Sequence, residues 1–173
     1  MSTTKKITLS AMMVALGAVL MLVGVYIEVL DLSVCALASL LVVFIYLEIG
    51  SYYPWLVWIC TALATALMGG GIVAAEYFLV FGIYPLLKSF VERLPRWSWI
   101  IVKLVFINAV IWILFLISEL LLGQNFFGEE GLVMTIIVYV LMNVAFIAYD
   151  FFITVMVRFY LDRLRPRIKK LLK

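Results

Sequence analysis

The chain predicts an all-α integral membrane protein, a bundle of about six transmembrane helices of which the second and third are short. The first observation is composition. Of 173 residues, 68% are hydrophobic, and the mean hydropathy is +1.25. Soluble domains are nearer half apolar, and a chain of this length has no core large enough to hide the excess. The second observation is the length of the apolar runs. They outlast the alternating segments of about ten residues that build an outer-membrane barrel. Helices satisfy their own backbone hydrogen bonds in lipid, so they are the expected spanning element. The third observation is where the charges fall, taken up below. Residues 1–173 read as a single transmembrane helical domain, with 158–173 a basic cytoplasmic tail.

Six apolar segments follow in order, at 8–30, 33–48, 54–68, 72–91, 98–121 and 132–157. A span needs about 20 residues, which the first, fourth, fifth and sixth supply. The second and third are short. They read either as short helices packed inside the bundle or as a re-entrant pair, which needs protein around its backbone. Both readings put the two termini on one side. Lys5 and Lys6 before an apolar run resemble the start of a signal peptide, but no cleavage site follows and the run merges into a full span.

All 13 Lys and Arg residues lie at the N-terminus, between 88 and 103, or from 158 onward. The positive-inside rule makes those zones cytoplasmic, in the plasma membrane of the cell. The opposite loops carry Glu28, Asp31, Glu129 and Glu130 instead. The tail RFYLDRLRPRIKKLLK holds seven basic residues and one acid, Asp162. It reads as a topology anchor on the anionic inner leaflet or as a docking segment. It is too short and too close to the membrane to argue for nucleic acid.

Histidine is absent. That removes histidine acid–base chemistry and most zinc or haem sites. Cys35 and Cys60 sit inside apolar runs and read as small core residues. There is no Gly-x-Ser-x-Gly motif, and no apolar segment holds a closely spaced carboxylate pair. The chain is therefore expected to be no enzyme and to carry neither metal nor cofactor. Gly69-Gly70-Gly71 lacks the Lys-Ser/Thr of a phosphate loop and reads as a tight outer turn.

Polar groups inside spans need partners or a cavity. In the fourth segment, Glu76 lies about one turn below the outer surface. Lys88, roughly 18 Å further along the axis, is expected to snorkel to the inner interface with Glu92 and Arg93 nearby. Pro85 removes a donor and crowds the carbonyl of Phe81, so a kink is expected there. In the fifth segment, Asn108 and Glu119 share a face to within about 20°. Trp97 and Trp99 mark the inner interface, and Lys103, a turn deeper, reads as a snorkelling residue or as one ion-paired, with Glu48 the candidate partner. In the sixth, Tyr139, Asn143, Asp150 and Thr154 form a polar stripe within about 60° of arc. The stripe can line a pocket or bind helices together. Tyr139 and Asn143 are the better pocket candidates, Asp150 and Thr154 the better helix glue. In the first segment, Ala11, Ala15 and Ala18 fall on one stripe. Ala11 and Ala15 form a small-xxx-small pattern that lets helices approach closely.

With six apolar segments, basic ends inside and Ala-xxx-Ala in its first span, the chain resembles the substrate-binding (S) subunits of energy-coupling-factor (ECF) transporters. More narrowly, CALASLLVVFIYLEIG (35–50), AAEYFLVFGIYPLLKSFVERL (74–94) and KLVFINA (103–109) resemble a group of small uncharacterised Firmicutes membrane proteins. The transporter resemblance implies a subunit that binds a vitamin or similar micronutrient from outside. It implies a partner too: a membrane coupling subunit driven by cytoplasmic ATPases, met through Ala11 and Ala15. A loop near Glu28 to Ser33 would cover the pocket. Glu76, Tyr77, Asn108, Tyr139 and Asn143 would line it. The acidic outer rim favours a cationic or zwitterionic small-molecule ligand. The alternative is a non-catalytic multi-spanning scaffold of the cell envelope, its basic tail holding a cytoplasmic partner.

Overall fold

The computed structural model describes residues 2–92, 95–122 and 131–166. Among them the architecture is all-α, with six helices and no strand. They are α1 (Thr3–Tyr26), α2 (Asp31–Glu48), α3 (Tyr53–Leu67), α4 (Gly71–Val91), α5 (Arg96–Leu122) and α6 (Gly131–Phe159). Among the described residues, α1, α2, α4 and the Ile136–Leu164 stretch that continues α6 are long and apolar enough to cross a membrane. The second helix is longer than its apolar run suggests. At 18 residues it spans about 27 Å. The 15 residues of α3 span roughly 22 Å, so α3 alone of this pair is short.

Helix ends differ from the apolar boundaries for a physical reason. Hydropathy marks contact with lipid, whereas a helix continues wherever its backbone bonds can form. So α1 begins at Thr3 and includes Lys5 and Lys6. It stops at Tyr26, where Ile27 leaves helical angles, and a 3₁₀ turn at Glu28–Leu30 leads into α2. Asp31 opens α2, an acid placed well against the helix dipole. Gly50 and Ser51 both take positive φ and reverse the chain into α3, where Pro54 occupies a first-turn position that needs no N–H. The GGG run ends α3 as expected of a turn. Gly69 has φ +92°, its N–H reaches Ala66 O, and the Gly70 N–H reaches Thr65 O at 3.0 Å. This is the paired-bond helix stop for which glycine is preferred.

Two apolar clusters form the interior. One joins α1, α2, α3 and α4 around Met21, Ala38, Val42, Val57, Trp58 and Tyr77. In it α1 lies close on α3. A Cβ at Gly17 would stand 2.9 Å from Thr61 Cγ2. The other joins α4, α5 and α6 around Val80, Tyr84, Ile107, Ile111, Phe146 and Tyr149. Helix α4 belongs to both. Its Tyr77 and Leu86 point into the first cluster, its Val80 and Tyr84 into the second. Around this interior, large apolar side chains stay exposed, Ile100, Val105 and Phe151 among them. A soluble protein does not carry so much apolar surface. On helices of this length it is the face turned to lipid.

Candidate binding cavity and buried charge cluster

Helix α4 builds the site by being irregular. Between Tyr77 and Phe81 its turn widens, and the Gly82 N–H bonds Tyr77 O at 2.7 Å, one residue further back than in an α-helix. That step leaves Phe78 O without its regular donor, and the Trp58 indole Nε1 donates to it at 3.1 Å. Pro85 has no N–H to offer Phe81 O. The Tyr149 hydroxyl of α6 donates to that carbonyl instead, at 2.7 Å, and lies 2.9 Å from Ser39 Oγ of α2. The break in α4 is thus met by side chains from two neighbouring helices, α3 and α6. Nothing in the local sequence marks Trp58 or Tyr149 for these tasks.

A cavity of about 530 Å³ opens beside this break, between α2, α4, α5 and α6. That volume suits a small organic ligand. Its wall is largely hydrocarbon and aromatic: Leu37, Val80, Phe81, Ile107, Phe146 and Phe152. Glu76 supplies its one charged side chain. Glu76 Oε2 is buried and accepts no hydrogen bond. At the end next to the α1–α2 turn, Leu32 and Ser33 close the wall, from the end of the segment in which a covering loop is expected. The side chain of Glu28 lies outside the described residues.

The other residues with an expected binding role lie elsewhere. Tyr77 is fully buried in the α1–α4 cluster, its hydroxyl beside that of Thr61. By distance and angle neither oxygen makes a good hydrogen bond, even to the other. The two are therefore neighbours without being a firm pair. Asn108, Tyr139 and Asn143 do come together, on the seam of α5 and α6. There they bond one another: the Tyr139 hydroxyl donates to Asn108 Oδ1, and Asn143 Nδ2 approaches the same oxygen at 3.5 Å. Asn108 Nδ2 donates to Leu104 O at 2.7 Å. This cluster is half-buried and ties two helices. On α1, Ala11 and Ala15 are exposed while Ala18 is buried. Glu119, Glu129, Glu130, Arg93 and the tail from 167 lie outside the described side chains.

A second group departs from the sequence expectation. Lys88 does not snorkel. It is 6% exposed, and its Nζ donates to Asp150 Oδ1, to Asp150 O at 2.9 Å and to Thr154 Oγ1 at 2.6 Å. Lys103 Nζ reaches Asp150 Oδ2 at 2.7 Å, so its partner is Asp150 and not Glu48. The Tyr84 hydroxyl adds a bond to Asp150 Oδ1 at 2.6 Å, and Glu92 lies 3.6 Å from Lys88 Nζ. Two cations thus meet two carboxylates, midway along the apolar stretch Ile136–Leu164. A lysine snorkels when water is its best partner. Here a carboxylate on the neighbouring helix is nearer. Glu48 instead receives Arg165 Nε and the Tyr160 hydroxyl, each at 3.0 Å, and so staples the end of α6 to α2. A smaller cavity of about 310 Å³ borders the Lys88 group.

Among family models, curated proteins and solved structures, the chain matches none. Functional reading therefore rests on the geometry. Among the described residues no group of three or more acids and cysteines is placed to hold a metal ion.

Proposed function

We propose that this chain is the membrane-embedded substrate-binding subunit of an ECF-type importer. It takes a small molecule into the cavity beside α4 and docks to a coupling subunit through α1. The observation that carries this reading is the cavity itself, apolar in its wall yet holding one buried carboxylate oxygen with no hydrogen-bond donor. Specific small-molecule sites combine an apolar enclosure with a few placed polar groups. Interrupted helices in membrane transporters often border such sites. The exposed Ala11 and Ala15 on α1 support the docking step, since small residues permit a close helix approach.

Native mass spectrometry on protein purified gently from its host tests the reading. The expected result is a retained small molecule, lost when the cavity is filled by Ala145→Trp. The ligand raises the unfolding midpoint by mass action, about 4 kcal/mol at a thousandfold excess over Kd. Retention of no small molecule, with capture of a cytoplasmic envelope protein in its place, would favour the scaffold alternative.

A further inference from the structure

Glu76 Oε2 is buried without a donor, and among the described residues no cation pairs with Glu76. The charge that acts on it is Asp31, also negative. A carboxylate in a low-dielectric wall is costly without a counter-charge, and the chain spends its buried lysines on Asp150. The rest of the wall offers a molecule hydrocarbon contacts only, apart from the Ser33 and Tyr149 hydroxyls, and the Tyr149 hydroxyl is committed to Phe81 O. The opening has a direction. The exposed wall residues are Leu32, Ser33 and Leu37 of α2 and Met142, Ala145 and Ala148 of α6. The mouth therefore lies between α2 and α6, on the face turned to lipid. Tyr149 forms part of the wall, its hydroxyl 2.9 Å from Ser39 Oγ of α2.

On the reading that this cavity is the binding site, we propose that its ligand is an amphipathic amine that enters from the bilayer between α2 and α6. Its ammonium group pairs with Glu76, and its hydrocarbon or aromatic body lies along the apolar wall. Charge complementarity selects the head, and the lipid-side mouth selects a molecule that partitions into membranes.

The full chain in lipid nanodiscs tests this with three probes of equal tail, decylamine, decanol and decanoate, read by thermal unfolding. Decylamine is expected to raise the midpoint and the other two are not. Glu76→Gln, which keeps shape and removes charge, is expected to weaken the decylamine response by roughly tenfold or more, the size of a lost charged hydrogen bond. Ala148→Trp, and separately Ala145→Trp, are expected to abolish it. Equal responses to all three probes, no response to any, or an unchanged response in Glu76→Gln would overturn the amine assignment. If those equal responses still vanish in the Trp variants, the cavity remains the binding site. A decylamine response that survives both Trp variants sinks the cavity reading as well.

Discussion

Asp150 is the residue on which the most buried charge depends. It receives Lys88 and Lys103 from two other helices, together with the Tyr84 hydroxyl. Asp150→Asn would take from Lys103 its carboxylate and leave Lys88 with Glu92 alone, 3.6 Å away. Breaking a buried pair from one side costs about 3–5 kcal/mol, and a loss of that order is expected in SDS or thermal unfolding. A variant within about 1 kcal/mol of the parent, a loss of the size measured for surface ion pairs, would show that water reaches the group. A different constraint sits at Gly82. A Cβ there would run into the Trp58 indole and stand 3.1 Å from the Tyr77 ring. Both rings are buried, so they cannot swing clear cheaply. Gly82→Ala is expected to destabilise by about 1–3 kcal/mol, as overpacking does, and Trp58 fluorescence should report the shift. That Asp150 needs a partner is legible in the sequence, because charge inside a span is costly, whereas Lys88 reads there as an interfacial lysine. The pairing of the two is not legible. Lys88 and Asp150 stand 62 positions apart, and a helical wheel gives the face of a residue without naming its neighbour.

At the scale of the element, α4 is the informative helix. Its proline announced a weakened turn and named Phe81 as the carbonyl affected. The side chain that answers, Tyr149, reads in sequence as one more aromatic residue on an apolar helix. This arrangement has a measurable consequence. Tyr149→Phe is expected to cost about 1–3 kcal/mol, because it orphans a buried carbonyl. In a Pro85→Ala background an N–H is again available to Phe81 O, so the same change should cost less. A double-mutant cycle on unfolding free energies is expected to show a coupling of about 0.5–3 kcal/mol. Additivity would mean that Tyr149 does not replace the missing proline bond. The polar stripe of α6 teaches a related point. Tyr139 and Asn143 meet Asn108 of α5, whereas Asp150 and Thr154 meet Lys88 of α4. Asp150 also meets Lys103 of α5, so one stripe on a wheel serves two neighbours: α5 at both levels, and α4 only at Asp150 and Thr154.

At the scale of the whole molecule, the positive-inside rule sets an expectation: with an even number of crossings, both ends of the chain lie on the cytoplasmic side. Membrane-impermeant labelling of single cysteines placed at Ser2 and Pro166 is expected to modify both only after the cell is opened. Labelling of either in intact cells would reverse or break that orientation. The native cysteines give an internal check on packing. Cys60 is exposed and Cys35 is buried, so a lipid-soluble maleimide is expected to react with Cys60 first, and with Cys35 only on unfolding. On α1, Ala11 and Ala15 face outward. Ala15→Leu is expected to leave folding and cavity binding unchanged while weakening co-purification with a coupling subunit. Loss of the fold would mean that this face packs within the chain.

Local chemistry along the chain suffices for the solvent, the class of element and the positions of the breaks. Those depend on local quantities: hydropathy summed over a span, a missing N–H at Pro85, a glycine able to hold positive φ at Gly69. It also determined that polar side chains inside the spans would need partners. Tertiary structure alone decided which partners they have and where space remains. The cavity beside Glu76 exists because Ala36, Ala145 and Ala148, unremarkable in sequence, leave room when α2 and α6 approach at that height. Empty volume, like the pairing of Lys88 with Asp150, is a property of how separate helices meet, and no single segment carries it.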